Sequence, residues 1–247
     1  LCAGLAFAQS SEEIEALKKE IEALKQGQMA IKRELQEIKN FLRTRLQQLE
    51  FKEAIVNVQG NYFKGDRQAA VAIIEFSEYQ CPYCAQYVRV TMPQIEEEYV
   101  KTGKVKYIFK DYPIESIHTM SFKMAEAARC AGEQGKFWEM HDLLFAHQAG
   151  ANLDDLPSHA RSLGLPVETF QQCLESGKYA DHINADKNEA RKAGIRSVPT
   201  FLLGFAMPGD RVRAVKLIKG AQPYAAFKEA LETLLEEQDE ESKKATK

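Results

Sequence analysis

The chain has 247 residues, enough for one large domain or for one domain with an appendage. Hydrophobic residues make up 45% of it, so a sizeable core is available, and a net charge of -3 gives neither the basic excess that attracts nucleic acid nor the acidic excess of a solvating protein. The 33 Lys and Arg residues fall mostly in mixed-charge helical segments that read as solvated faces, so no nucleic-acid partner is expected.

The opening stretch LCAGLAFAQS is apolar and small before it turns polar. Ala6 and Ala8 flank Phe7 in the small-x-small pattern of a signal-peptidase site, so residues 1–8 are expected to be the remnant of a secretory signal. Cys2 would then be missing from the mature protein. The cysteines left are Cys81, Cys84, Cys130 and Cys173, an even number that suggests two disulfides in an exported chain. No other stretch reaches ~18 uninterrupted apolar residues, so no further membrane span is expected.

Residues 9–52 read as a coiled-coil helix. With Ile14 at heptad position a, the a positions are Ile14, Ile21, Gln28, Leu35, Leu42 and Leu49, and the d positions are Leu17, Leu24, Ile31, Ile38 and Arg45. Nine of these eleven are apolar, which is a narrow seam rather than a broad globular stripe. A helix of ~40 residues is ~60 Å long and cannot bury such a seam alone, so association through residues 11–50 is expected. The alternative is a helix folded back on its own domain. Gly27 and Gln28 interrupt the seam and mark a weak point or a device that fixes register.

Residues 51–70 read as a transition with turn residues Gly60, Asn61, Gly65 and Asp66. VAIIEFS, residues 71–77, is a buried strand, and a helix follows from Pro82, with a kink expected at Pro93. VKYIFKD, residues 105–111, is a second strand. Residues 113–192 form a helical block, TFLLGF and VRAVKLIKG are strand-like, and a last helix runs from Pro223 to about Glu237. The charged tail, residues 238–247, is expected to be disordered. The order predicts an α/β thioredoxin fold with a helical insertion over about 113–192, inside a domain covering residues 53–237 and preceded by the long helix.

Cys81 and Cys84 enclose Pro82 and Tyr83 between the first strand and its helix. A structural zinc site would need two further ligands, and there is no second CxxC. Two inert core cysteines at this spacing would be a coincidence. The redox reading has a specific physical basis. A helix N-terminus presents unpaired N–H groups and about half a positive charge, which stabilises a thiolate. Cys81 is then the exposed nucleophile, and Cys84, one turn inside, is the resolving thiol. Glu75 lies in an apolar run where a carboxylate is expensive without a role, and could pass a proton to or from Cys84; an edge position facing water is the alternative. Val198-Pro199, directly before a strand, is a candidate cis peptide packed beside the cysteines. The five histidines, His118, His141, His147, His159 and His182, show no metal-ligand pairing and read as helical surface or core residues. Trp138 reads as packing. No metal or other cofactor is expected.

Taken in order, IIEFSEYQCPYC, AARCAGEQGKFWEMHDLLF, FQQCLESGKY and GIRSVPTFLLG resemble the DsbA family of exported thiol-disulfide oxidoreductases over roughly residues 55–237. The resemblance implies a thioredoxin fold with a helical insertion, an active-site CxxC whose first cysteine attacks, and a cis-proline loop. Those roles fall on Cys81, Cys84 and Pro199, with Glu75 at the position of the family's buried acid. Tyr83 stands where some members carry His, and a neutral ring gives the thiolate less electrostatic support. Val198 stands where the family's isomerases more often carry Thr. The heptads resemble the oligomerisation stalks of disulfide isomerases and ScsC-like proteins. Cys130 and Cys173 are expected to join two helices of the insertion. The expected function is disulfide exchange, as isomerase, reductase or oxidase, on unfolded or misoxidised exported proteins in the periplasm or another exported location, with a membrane redox partner. A non-catalytic coiled-coil chaperone or scaffold with a vestigial thioredoxin domain is the alternative.

Overall fold

A computed structural model describes residues 3–148 and 152–245, with side chains over 15–42, 51–148 and 152–244. Cys2 and the side chains of the expected signal remnant lie outside this description, as do the last two residues of the tail. Chain contacts divide the molecule into two units, Leu1–Glu50 and Phe51–Lys247.

The first unit is a single helix, α1 (Ala3–Glu50). Its heptad residues Leu17, Ile21, Leu24, Ile31, Leu35, Ile38 and Leu42 are each about half exposed or more. Helix formers Glu, Lys, Leu and Ala dominate the segment, so the backbone continues through Gly27 despite that residue's low propensity.

The second unit is built on a six-stranded sheet in the order β1-β6-β5-β3-β4-β2. The strands are β1 (Ala54–Asn57), β2 (Phe63–Lys64), β3 (Val71–Ser77), β4 (Val105–Asp111), β5 (Thr200–Met207) and β6 (Arg211–Lys219). β3 runs parallel to β4 and antiparallel to β5. All seven residues of β3 are buried, which accounts for its continuous apolar sequence. Strand periodicity sends Val71, Ile73, Glu75 and Ser77 to one face and Ala72, Ile74 and Phe76 to the other. On the first face pack Tyr87 of α2 (Pro82–Val90), Ile95 of α3 (Met92–Ile95) and Phe227 of α9 (Tyr224–Ala245). On the second pack Ala190 of α8 (Ala180–Lys192) and Ile195. At the β5–β6 register shift, a side chain at Gly204 would collide with the Arg213 carbonyl, so only glycine lets β6 approach there.

The insertion consists of α4 (Ser121–Gly132), α5 (Phe137–Ala146), α6 (Asp155–Ser162), α7 (Val167–Ser176) and α8. Buried alanines 125, 127, 128 and 131 allow close packing around α4. Cys130 of α4 and Cys173 of α7 form a disulfide, with Cα atoms 5.8 Å apart. Gly177, at φ +62°, ends α7 in the left-handed conformation that glycine tolerates.

Four buried charges tie the insertion to the sheet. Arg129 of α4 donates to Asp111 of β4 at 2.6 Å and to Asp186 of α8 at 3.0 Å. Lys110 reaches Asp186 at 2.7 Å and donates to the Asn57 carbonyl at 2.8 Å. Two cations and two anions balance, and Asn61 satisfies Asp186 further at 2.7 Å.

The structure departs from the sequence-based reading at four places. Residues 51–70 contain β1 and β2, strands too short to show a period; β1 adds to the sheet by pairing with β6. The helical block begins at Ser121, not at residue 113, and a connection of hydrogen-bonded turns precedes it. Pro93 divides the expected kinked helix into α2 and α3, because it lacks the N–H that continues the ladder; a π-helical turn follows at Glu96–Val100. The tail expected to be disordered continues α9 to Ala245, with i,i+4 contacts Lys244–Glu240 and Gln238–Ser242 along its exposed turns.

Candidate active site

Cys81 is the N-cap residue of α2, with Pro82 in the first turn. Its φ and ψ of -74° and 119° are extended, as an N-cap requires, and its sulfur accepts a hydrogen bond from the Cys84 N–H at 3.4 Å. The thiol also donates to the Val198 carbonyl at 3.7 Å. Val198-Pro199 is a cis peptide, and this contact sets the loop before β5 against the Cys81 sulfur. Both sulfurs are free thiols and both residues are buried: Cys84 fully, and Cys81 at 4% exposure, so the nucleophile expected to be exposed lies instead under the loop that carries Val198. Tyr83, between them, is 63% exposed and turned to solvent.

The two thiols differ in acidity. A hydrogen bond from the Cys84 thiol, reinforced by backbone N–H groups of Cys84 and Tyr83 and by the positive charge of His118, brings Cys81 down to about 6 against the opposing effect of burial. Burial pushes Cys84 well up. One sulfur is therefore a thiolate near neutrality and its neighbour is a thiol.

Glu75 sits in the central strand, not at an edge, and is fully buried. Burial raises its carboxyl to about 7, although the Tyr107 hydroxyl donates to Oε2 at 2.5 Å. The Tyr107 and Tyr87 hydroxyls share a further hydrogen bond at 3.1 Å. The other oxygen, Oε1, has no hydrogen-bond partner. Ser77, two residues along on the same face, lies close enough to polarise both Glu75 and Cys84, without a hydrogen bond of regular geometry to either. A carboxyl that titrates near 7 and a polar side chain beside the buried thiol are the parts of a proton path to Cys84.

Sequence reasoning missed three residues of this site. Glu78 is almost fully buried in the turn before Cys81; burial raises it to about 7, and it contacts His118 and accepts from the Gln80 N–H at 3.2 Å. His118, read from sequence as helical surface or core, lies instead in the connection after β4 and places its charge near Cys81. Its signal was only that a histidine occupied a segment with no helical period. Gln148 donates to the carbonyls of Tyr79 at 2.9 Å and Cys81 at 3.2 Å, fastening the insertion to the cysteine turn. The Met120 N–H donates to Gln80 at 2.6 Å in the same way. His141 is buried among the rings of Tyr79, Phe109 and Trp138, and Trp138 donates to the Phe63 carbonyl at 3.2 Å. Among the described residues, no three His, Cys, Asp or Glu side chains converge as metal ligands.

A CxxC pair capping the helix after a central parallel strand, faced by a cis-proline loop, defines the thioredoxin class of site. Residues 57–233 match the family model described as Thioredoxin, and the chain belongs to that family. Its fold is of the DsbA type: it superposes on the crystal structure of Wolbachia pipientis alpha-DsbA1 with a TM-score of 0.64 and 24% identity, over 74% of this chain and 94% of that one. The Na(+)/H(+) antiporter NhaA 3 of Salinispora tropica is 34% identical over 148 residues, which is 60% of this chain and 22% of the antiporter. A putative protein-disulfide oxidoreductase of Rickettsia felis is 25% identical over 184 residues, 72% of this chain and 62% of that protein. The chain thus spans less than two thirds of the length of either relative.

Proposed function

We propose that the chain is a protein thiol-disulfide oxidoreductase that works through Cys81 and Cys84 on unfolded or misoxidised exported proteins. The observation that carries this reading is the unequal pair itself, an acidic thiol at the helix cap against a weakly acidic one inside the first turn. The Cys81 thiolate attacks one sulfur of a substrate disulfide, forming a mixed disulfide and releasing the other substrate sulfur as a thiolate. Cys84 gives up its proton and attacks the Cys81 sulfur, releasing the second substrate thiolate. The substrate gains two electrons, and the protein ends as the Cys81–Cys84 disulfide. Run in reverse, the same steps oxidise a substrate dithiol. Glu75 accepts or returns the Cys84 proton, Pro82 and Tyr83 shape the turn, and Val198 and Pro199 border the reacting sulfurs.

An exported, periplasmic setting is supported by the signal-like start and by the Cys130–Cys173 cross-link, because such bonds persist in oxidising compartments. A membrane redox partner would reset the pair between cycles. The exposed heptad seam of α1 favours a homo-oligomer, in which several sites hold one substrate, so isomerase or reductase work is slightly favoured over oxidation. Reduction of insulin disulfides tests the chemistry: the wild type should reduce them, Cys81→Ala should lose at least ~1000-fold, and Cys84→Ala should trap substrate on Cys81. Full exchange by Cys81→Ala would end this reading. Deleting residues 1–52 should leave dithiol exchange intact and remove the ability to reshuffle a scrambled protein. Undiminished isomerase activity in that monomer would separate oligomer from function.

A further inference from the structure

The seam of α1 says that a partner helix is needed, and the charges that flank it say how that partner runs. In the register that puts Leu17, Leu24, Ile31 and Ile38 at d, the e positions are Lys18, Lys25, Lys32 and Lys39. The g positions that precede these four heptads are Glu13, Glu20, Gly27 and Glu34, and the next g position is Phe41. Over residues 13–39 each flank of the seam therefore carries a single sign, positive along e and negative along g, with Gly27 as the neutral gap in that stretch.

From this pattern we infer that α1 associates with further copies of itself in parallel and in register, so that all the thioredoxin units are carried from the same end of the bundle. The inference rests on the self-association proposed above and adds its direction. In a parallel coiled coil, g of one helix faces e of the next heptad on its neighbour. That pairs Glu13 with Lys18, Glu20 with Lys25 and Glu34 with Lys39 of the adjacent copy, all attractive. In an antiparallel pair, e faces e and g faces g, so the charged stretch from Glu13 to Lys39 brings lysine against lysine and glutamate against glutamate. One chain thus encodes attraction in one direction and repulsion in the other.

The structure leaves these groups available. Leu17, Ile21, Leu24, Ile31, Leu35, Ile38 and Leu42 are 49–70% exposed. Lys18 and Lys25 have only loose contacts within their own helix, to Glu15 at 3.6 Å and Glu22 at 3.9 Å, with side chains more than 60% exposed. Exposed pairs of that kind hold a side chain weakly, so both lysines can turn to a neighbouring helix. Gln28, polar at position a, supports the same alignment, because only an in-register parallel bundle sets each Gln28 beside its copies.

Disulfide trapping of the full chain, with Cys2, Cys81 and Cys84 changed to Ser, reads the direction. Leu17→Cys alone should cross-link to itself under mild oxidation, as should Leu42→Cys alone. A mixture of the two should give no 17-to-42 product. Light scattering on the same samples should show an oligomer, and the triple change Lys18→Glu, Lys25→Glu, Lys39→Glu should weaken association at least ~10-fold. An oligomer that yields the 17-to-42 product, without self-products, would overturn the parallel arrangement and leave self-association standing. A chain that scatters as a monomer at all concentrations would overturn both. Association indifferent to the charge reversals would remove the electrostatic basis of the inference.

Discussion

Two regions of the second unit bury several charged groups each, and they handle them differently. Around Arg129, two cations and two anions are matched in number; Arg129, Lys110 and Asp186 are each held by short contacts from more than one side, while Asp111 accepts from Arg129 through one oxygen and keeps the other unpaired. Around Cys81 and Cys84, two carboxyls are buried with too few partners: Glu75 keeps an unpaired oxygen, and Glu78 leans on one histidine and one backbone N–H. Low polarity surrounds both regions. Facing cations make the first region a brace between α4, α8 and β4, where burial raises Asp111 only to about 6 against the pull of the Arg129 charge. Under-matched carboxyls rise to about 7, where a proton comes and goes easily. The brace ties the insertion to the sheet, and the unbalanced region lies beside the two sulfurs.

The most direct way to break this contrast is to unbalance the brace. Arg129→Ala leaves Asp111 and Asp186 without their shared cation, and should lower stability by about 3–5 kcal/mol in urea unfolding. A loss under ~1 kcal/mol would mean that the brace is not structural. Glu75→Gln acts in the opposite sense. Because the folded carboxyl is raised from 4.5 to about 7, it binds more protons than the unfolded chain, and stability is lost as pH rises through that window. The variant should gain about 2 kcal/mol of stability at pH 8 and almost none at pH 4, while disulfide exchange slows about 10- to 100-fold. Equal stability gains at both pH values would place the effect outside the titration of Glu75.

The smallest of these effects sharpens the contrast at the nucleophile. His118→Gln removes a positive charge near Cys81 and should move the Cys81 titration upward by about half a pH unit. Glu78→Gln removes a negative charge and should move it downward. Shifts of the same sign in both variants would show that the pair acts by shape rather than by charge.

Much of this arrangement was legible in the residues. The central strand could be read because a run buried on both faces is apolar throughout, and the cysteine pair because its spacing matches a helix cap. The cis-proline loop and Glu75 stood out as departures from local rules, which functional sites show. β1 and β2 were not legible, since four and two residues carry no period and exist only through pairing with distant partners. The brace was hidden because Lys110 and Asp111, Arg129, and Asp186 come from three separate stretches of the sequence, and each reads alone as a surface charge. Glu78 and His118 were hidden for the same reason, although Glu78 stands only three residues before Cys81.

The central claim is that the cap of α2 and its neighbours hold Cys81 as a thiolate while Cys84 stays protonated. Far-ultraviolet thiolate absorbance of the reduced protein, followed against pH, measures this directly, with the oxidised protein as blank. One thiolate should appear with a midpoint near 6, and the Cys81→Ala variant should show none in that range. The sign follows from the shift: a depressed thiol pKa stabilises the reduced form above the ordinary thiol range, and that stabilisation is lost as pH falls through about 6. A single midpoint at or above ~8.5, the value of an unperturbed thiol, would contradict the claim.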